Sequence, residues 1–152
     1  MNIIVDTREQ QPFSFAGYPE IKIINKKLDI GDYSIEGFED IITIDRKKNL
    51  SEIVKNLKEK RFLKELEKMS TYDEAYMLCS FPFINYSKFP EDSGIPKRNW
   101  SQLRQGGMAI LNKVKKLECD YCIPFLYCND RLAAERRVVE IFRNFLGKIN
   151  GE

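Results

Sequence analysis

Apolar and polar positions along this chain follow two periods, and the period at each stretch predicts an element. Residues 2–6, NIIVD, are an apolar run ending in a polar cluster and predict a buried first strand. Residues 10–19 contain Pro12, Gly17 and Pro19 and predict a loop. Residues 21–28 alternate in part, which predicts a second strand. Tyr33-Ser34-Ile35 and Ile41-Ile42-Thr43-Ile44 are β-prone runs on either side of Gly37-Phe38-Glu39-Asp40, which has turn composition. They predict a hairpin, giving strands three and four.

From Asn49 the period lengthens. Ile53, Leu57, Leu63, Leu66 and Met69 recur near helical spacing, and Asn49 followed by Glu52 forms a capping box. Lys55, Lys58, Lys64 and Lys68 fall largely off that face, as a solvated helix surface would. Residues 75–81, AYMLCSF, predict a buried strand, and residues 80–96 a loop that serves either as a flap or as ordinary surface. Residues 100–117 suggest a second helical region, interrupted at Gly106-Gly107. Residues 120–127 read as another strand. Asn129 or Asp130 then caps a last helix running to about Leu146, with Val138, Ile141, Phe142, Phe145 and Leu146 as a broad apolar stripe. The sheet and a second copy of the chain, in a homodimer through this C-terminal helix, are the two ways to cover that stripe.

The hairpin also carries the candidate chemistry. With a four-residue loop, Glu36 faces Ile41, and counting back places Asp32 opposite Asp45. Directly opposed residues have Cβ atoms roughly 4.5–5.5 Å apart, where like charges are destabilising, so a cation between them is expected. Alternation puts Lys47 on the face of Asp45 and turns Arg46 to the other. Two acids and an amine then converge as they do around a divalent metal beside a phosphodiester.

Composition narrows the class. At 152 residues, with 43% hydrophobic and 32% charged residues, the chain is expected to form one globular domain over residues 1–152. A net charge of +2 does not announce a polyanion binder, but its distribution does more. Lys97, Arg98, Arg104, Lys113, Lys115 and Lys116 fall between Ile95 and Leu117 with no acid among them. Lys97, Arg98, Trp100 and Arg104 are therefore candidates for nucleic-acid contact, with Trp100 either stacking on a base or anchoring the core. Cys119 and Cys122 form a CxxC, but without histidine only an all-cysteine zinc site is open, and reduced core thiols are expected for all four cysteines. There is no signal peptide or membrane-length apolar run, so an intracellular protein, cytoplasmic or nuclear, with no membrane partner is expected.

VDTRE, then LDIGDY, then IDRK, then a segment carrying Lys60-Arg61-Phe62 occur in an order and spacing that resemble the XPF/Hef-type structure-specific nucleases of the PD-(D/E)XK superfamily. The resemblance spans residues 3 to about 80. It implies an α/β fold with a mixed central β-sheet flanked by helices, a restriction-endonuclease-like core. It also implies a metal-dependent endonuclease acting on branched or junction DNA. Carried onto this chain, it implies Asp32 and Asp45 as ligands of Mg²⁺ or Mn²⁺, with Asp6 and Glu9 behind or beside them and Lys47 at the scissile phosphate. Arg8, Arg46 and Arg61 would contact phosphate or pair with the acids. The chain departs from the family pattern GDX(n)ERKXXXD twice, with Asp45 in place of Glu and Ser51 in place of the final Asp. A non-catalytic module that binds DNA or a partner is the rival reading, and an RNA nuclease a third. No room is expected for a tandem helix-hairpin-helix module, and such a compact form would suit a virus or mobile element.

Overall fold

The computed structural model describes residues 1–151. Six strands form one mixed sheet in the order β2-β1-β3-β4-β5-β6. They are β1 (Asn2–Val5), β2 (Lys22–Asn25), β3 (Tyr33–Ile35), β4 (Ile42–Lys47), β5 (Glu74–Cys79) and β6 (Phe125–Tyr127). The β1–β3 and β3–β4 pairs are antiparallel, whereas β2, β5 and β6 join their neighbours in parallel. The helices are α1 (Leu50–Asn56), α2 (Lys60–Met69), α3 (Asn85–Lys88), α4 (Gly107–Tyr121) and α5 (Arg131–Ile149), with a 3₁₀ turn over Lys97–Gln102.

Two apolar layers sandwich the sheet. On one face Ala134, Val138, Val139, Phe142 and Phe145 of α5 pack on Ile3, Val5, Tyr33, Ile35, Ile42, Ile44 and Leu78. On the other, α1, α2 and α4 pack through Leu50, Ile53, Phe62, Leu66, Ile110 and Val114 on Ala75, Met77 and Cys79. Period-two alternation on β4 and β5 decides which side chain enters which layer. The α5 stripe is thus taken up by the sheet, leaving Leu132 and Ile149 as its exposed large apolar residues.

Several expectations change. The helix expected from Asn49 is two helices, with a turn at residues 57–59 closed by Lys58 N–H to the Lys55 carbonyl and Glu59 N–H to the Asn56 carbonyl. That break rotates the register, so Phe62, Leu66 and Met69 point inward and Leu63 is left exposed. The start is as expected, with Asn49 Oδ1 accepting from Glu52 N–H at 3.1 Å. At the other end, residues 120 and 121 belong to α4 rather than to a strand. The helix continues the row Ile110, Val114, Leu117, Tyr121 into the second apolar layer and stops at Cys122, which is left-handed (φ 55°). Cys119 and Cys122 are exposed, not core thiols, whereas Cys79 and Cys128 are buried. Within residues 80–96, α3 forms and Ser93 is fully buried, its carbonyl accepting the Ser51 N–H at 2.8 Å. That part of the loop is fastened to α1 and is no free flap.

Candidate active site

The acidic centre is built by a break in the β3–β4 ladder. Tyr33 pairs with Ile44, and the same register carried one step outward sets Asp32 against Asp45. Gly31 allows the approach: its φ is +81°, and a Cβ there would lie 2.1 Å from Thr43 Oγ1. The Asp32 N–H donates to the Ile44 carbonyl at 2.9 Å, and its carbonyl accepts the Asp6 N–H at 2.8 Å, locking it between β4 and the end of β1. Its carboxylate Oδ2 accepts the Arg46 N–H at 2.7 Å.

Asp32 and Asp45 line one cavity of about 390 Å³, with Asp6, Arg8, Asp29, Arg61, Lys64, Glu65 and Lys68 also on its walls. Lys47 Nζ stands 3.1 Å from Asp45 Oδ2 and 5.2 Å from the Phe62 ring centre, behind the wall rather than on it. Lys47 is thus the charge partner of the buried Asp45 Oδ2. Burial, then the Asp45 charge, push the Asp32 carboxyl well above the usual carboxylate range, against the Arg46 N–H. Burial works against the Lys47 charge, but Asp45, then Asp32 and Glu52, outweigh it and raise that amine. Burial and Asp45 likewise raise Glu65 on α2.

The remaining site candidates separate into two groups. Asp6 is committed: Oδ2 accepts from Arg8 Nε at 2.9 Å and Oδ1 from the Leu28 N–H at 2.8 Å. Burial opposes its charge, yet these bonds hold it below the ordinary value. Arg8 also donates to the Leu28 carbonyl, so the pair ties β1 to the β2–β3 connection. Arg46 points to the α5 face. It donates to the Gln11 carbonyl at 2.6 Å, lies 3.7 Å from Glu9 Oε2 and stacks 4.5 Å from the Phe13 ring centre. Arg46 and Glu9 thus clamp the first loop, and neither lines the cavity. Arg61 is at the cavity mouth, 72% exposed, paired with Glu59 at 3.2 Å and Glu65 at 3.8 Å.

Lys97, Arg98, Trp100 and Arg104 are not on the walls of the acidic cavity. Trp100 donates its indole N–H to the Ile95 carbonyl at 3.0 Å and holds the loop together. Arg104 lines a separate groove with Lys58, Phe89 and Leu103. Sequence reasoning missed Glu65, Lys64 and Lys68. The signal was present: Lys64, Glu65 and Lys68 stand three, four and seven residues after Arg61, on one helical face.

The residues present fit a hard divalent cation. Asp32 and Asp45 share a cavity whose other acids are Asp6, Asp29 and Glu65. Among the described residues no three or more His, Cys, Asp or Glu groups are close enough to hold an ion together. Asp32 and Asp45 would leave the other coordination positions to water or substrate, as Mg²⁺-type ions prefer.

Residues 5–136 match the ERCC4 domain. Among solved structures, XPF from Aeropyrum pernix superposes with a TM-score of 0.70 at 19% identity, over 99% of this chain and 68% of that one. The same protein in complex with DNA gives 0.69 at 19% identity, over 97% and 66%. The chain thus spans about two thirds of the length of those structures. No curated protein matches the sequence.

Proposed function

Because the chain belongs to the ERCC4 (XPF-type) nuclease domain family, we propose that it is a metal-dependent endonuclease hydrolysing DNA phosphodiesters at the Asp32–Asp45 cavity. The supporting observation is that two half-buried carboxylates, Asp32 and Asp45, face one cavity, with the Lys47 ammonium 3.1 Å from Asp45 Oδ2. Asp32 and Asp45 would hold Mg²⁺ or Mn²⁺, which when bound supplies Lewis acidity and an activated water. The Arg46 N–H fixes the Asp32 carboxylate, and Asp6 fixes the backbone beneath it by donating its own N–H to the Asp32 carbonyl. Lys47 sets Asp45 and contributes positive charge toward a phosphate gaining negative charge. Arg8 and Arg61 at the rim are placed to contact phosphate.

Branched or junction DNA is the proposed substrate on the strength of the family, and a DNA-processing role would place the protein inside a cell. Among the described residues no helix is long and apolar enough to cross a membrane.

Cleavage of labelled flap, fork and junction DNA with Mg²⁺ or Mn²⁺ tests this reading. Wild-type protein should cut at least one substrate and stop in EDTA. Lys47→Ala should cut roughly 10²–10³-fold more slowly, in line with the loss of one oriented charge at a developing anion. Unchanged cutting by the variant would remove Lys47 from the chemistry. Asp45 and Ser51, where the family pattern has Glu and Asp, favour a second reading: a domain that binds DNA and cuts none of it. Equal DNA binding in EDTA and Mg²⁺, with no cleavage product, would select that reading.

A further inference from the structure

We propose that Lys64 and Lys68 form a seat for two consecutive phosphates of the DNA strand that enters the acidic cavity. The proposal rests on the nuclease reading above and specifies how that site would hold its substrate. Both lysines are exposed and line the same cavity as Asp32 and Asp45. They stand four residues apart on α2, with Cβ atoms about 5–6 Å apart, comparable with the separation of neighbouring phosphates on one strand.

Their charges are uncommitted. Arg8 is paired with Asp6, Arg61 with Glu59 and Glu65, and Lys47 with Asp45. Among the described residues, Lys64 and Lys68 have no carboxylate within ion-pair distance. They are therefore the cavity cations free to meet an incoming anion without first breaking a salt bridge. The helix beneath them is held firmly, with Phe62, Leu66 and Met69 buried in the apolar layer. Its charge pattern works against its own stability. Lys60 and Arg61 stand in a first turn that holds no acid of its own, and Glu59 pairs with Arg61 but makes no side-chain cap. Cations at a helix N-terminus oppose the macrodipole, and like charges at i and i+4 repel. A polyanion laid along Lys64 and Lys68 would relieve that repulsion.

The seat divides the work of the cavity. Acids at the floor hold the cation, and lysines on one wall fix the register of the strand over it. Lys64→Ala/Lys68→Ala should then weaken binding and raise KM while leaving kcat close to wild type. Arg136→Ala/Arg137→Ala removes the same charge from α5, on the opposite face of the sheet.

Fluorescence anisotropy with labelled single-stranded and forked DNA in EDTA, across a salt series, reads binding apart from cleavage. The lysine variant should bind at least tenfold more weakly at low salt. Its slope of log K against log salt should be shallower by about 1.4–1.8, from two lost phosphate contacts. The α5 variant should keep the wild-type slope, and circular dichroism should show both variants folded. If wild type binds and the lysine variant matches it, or if both variants lose affinity equally, the seat is wrong and the nuclease reading stands. If wild type binds none of the DNAs in EDTA but cuts with Mg²⁺ or Mn²⁺, the seat is wrong; if it neither binds nor cuts, the nuclease reading falls and the seat with it.

Discussion

Asp32 is a carboxylate whose charge is opposed both by burial and by a neighbouring carboxylate. A carboxyl raised in the folded state stabilises the fold fully below its ordinary value of 3.8, and that contribution is lost as pH rises through the raised value. At neutral pH the metal-free protein therefore carries the cost. Asp32→Asn should raise its thermal midpoint there, and the gain should vanish in acid. Mn²⁺ should raise the wild-type midpoint and leave the variant's unchanged. Equal midpoints at every pH would show that Asp32 bears no such cost. Two residues along β4, alternation gives neighbouring cations different tasks. Lys47 serves the acid, whereas Arg46 holds Glu9 and Gln11 across the sheet. Arg46→Ala would strand the buried Glu9 and should cost about 3–5 kcal/mol in a urea titration.

At the scale of elements, the site depends on how two segments are cut and rotated. Gly31 breaks the hairpin ladder so that a carboxylate can turn back onto β4. Gly31→Ala forces a left-handed alanine, costing at least about 1–2 kcal/mol, and drives a methyl into Thr43. Chemical denaturation should show that loss, and cleavage should fall further because β4 must yield. The turn at residues 57–59 is the second device. By resetting the register it brings Phe62 inward and turns Arg61, Lys64, Glu65 and Lys68 toward the cavity. Phe62→Ala should cost about 3–5 kcal/mol, whereas Leu63→Ala should stay within about 0.5 kcal/mol. The reverse order in measured midpoints would restore a single continuous helix.

For the whole molecule, one sheet serves two apolar layers, and β5 supplies both from adjacent residues, Leu78 to one and Met77 and Cys79 to the other. Neither layer can open without stripping a face of the same strand. Unfolding should be a single transition, with far-UV circular dichroism and the fluorescence of Trp100, the one tryptophan, coinciding. Separate midpoints would show that the faces melt independently.

The first four strands, the hairpin register and the nearness of Asp32 to Asp45 were legible in the sequence, whereas the order of strands in the sheet was not. Period-two patterning and turn chemistry are local, and a four-residue loop leaves one register that buries Tyr33 and Ile44 together. The α/β class and the caps at Asn49 and Asp130 were legible for the same reason. What the sequence could not decide was which polar groups stay free. Asp6 is consumed by Arg8 and Leu28, Arg46 by the first loop and Asp45 in part by Lys47, whereas Lys64 and Lys68 are in no ion pair among the described residues. Nor could spacing reveal that a short turn rotates α2 and brings Glu65 and two lysines to a cavity built by other strands. Those outcomes depend on partners distant in the chain, whose competition for each donor and acceptor is settled only when the layers pack.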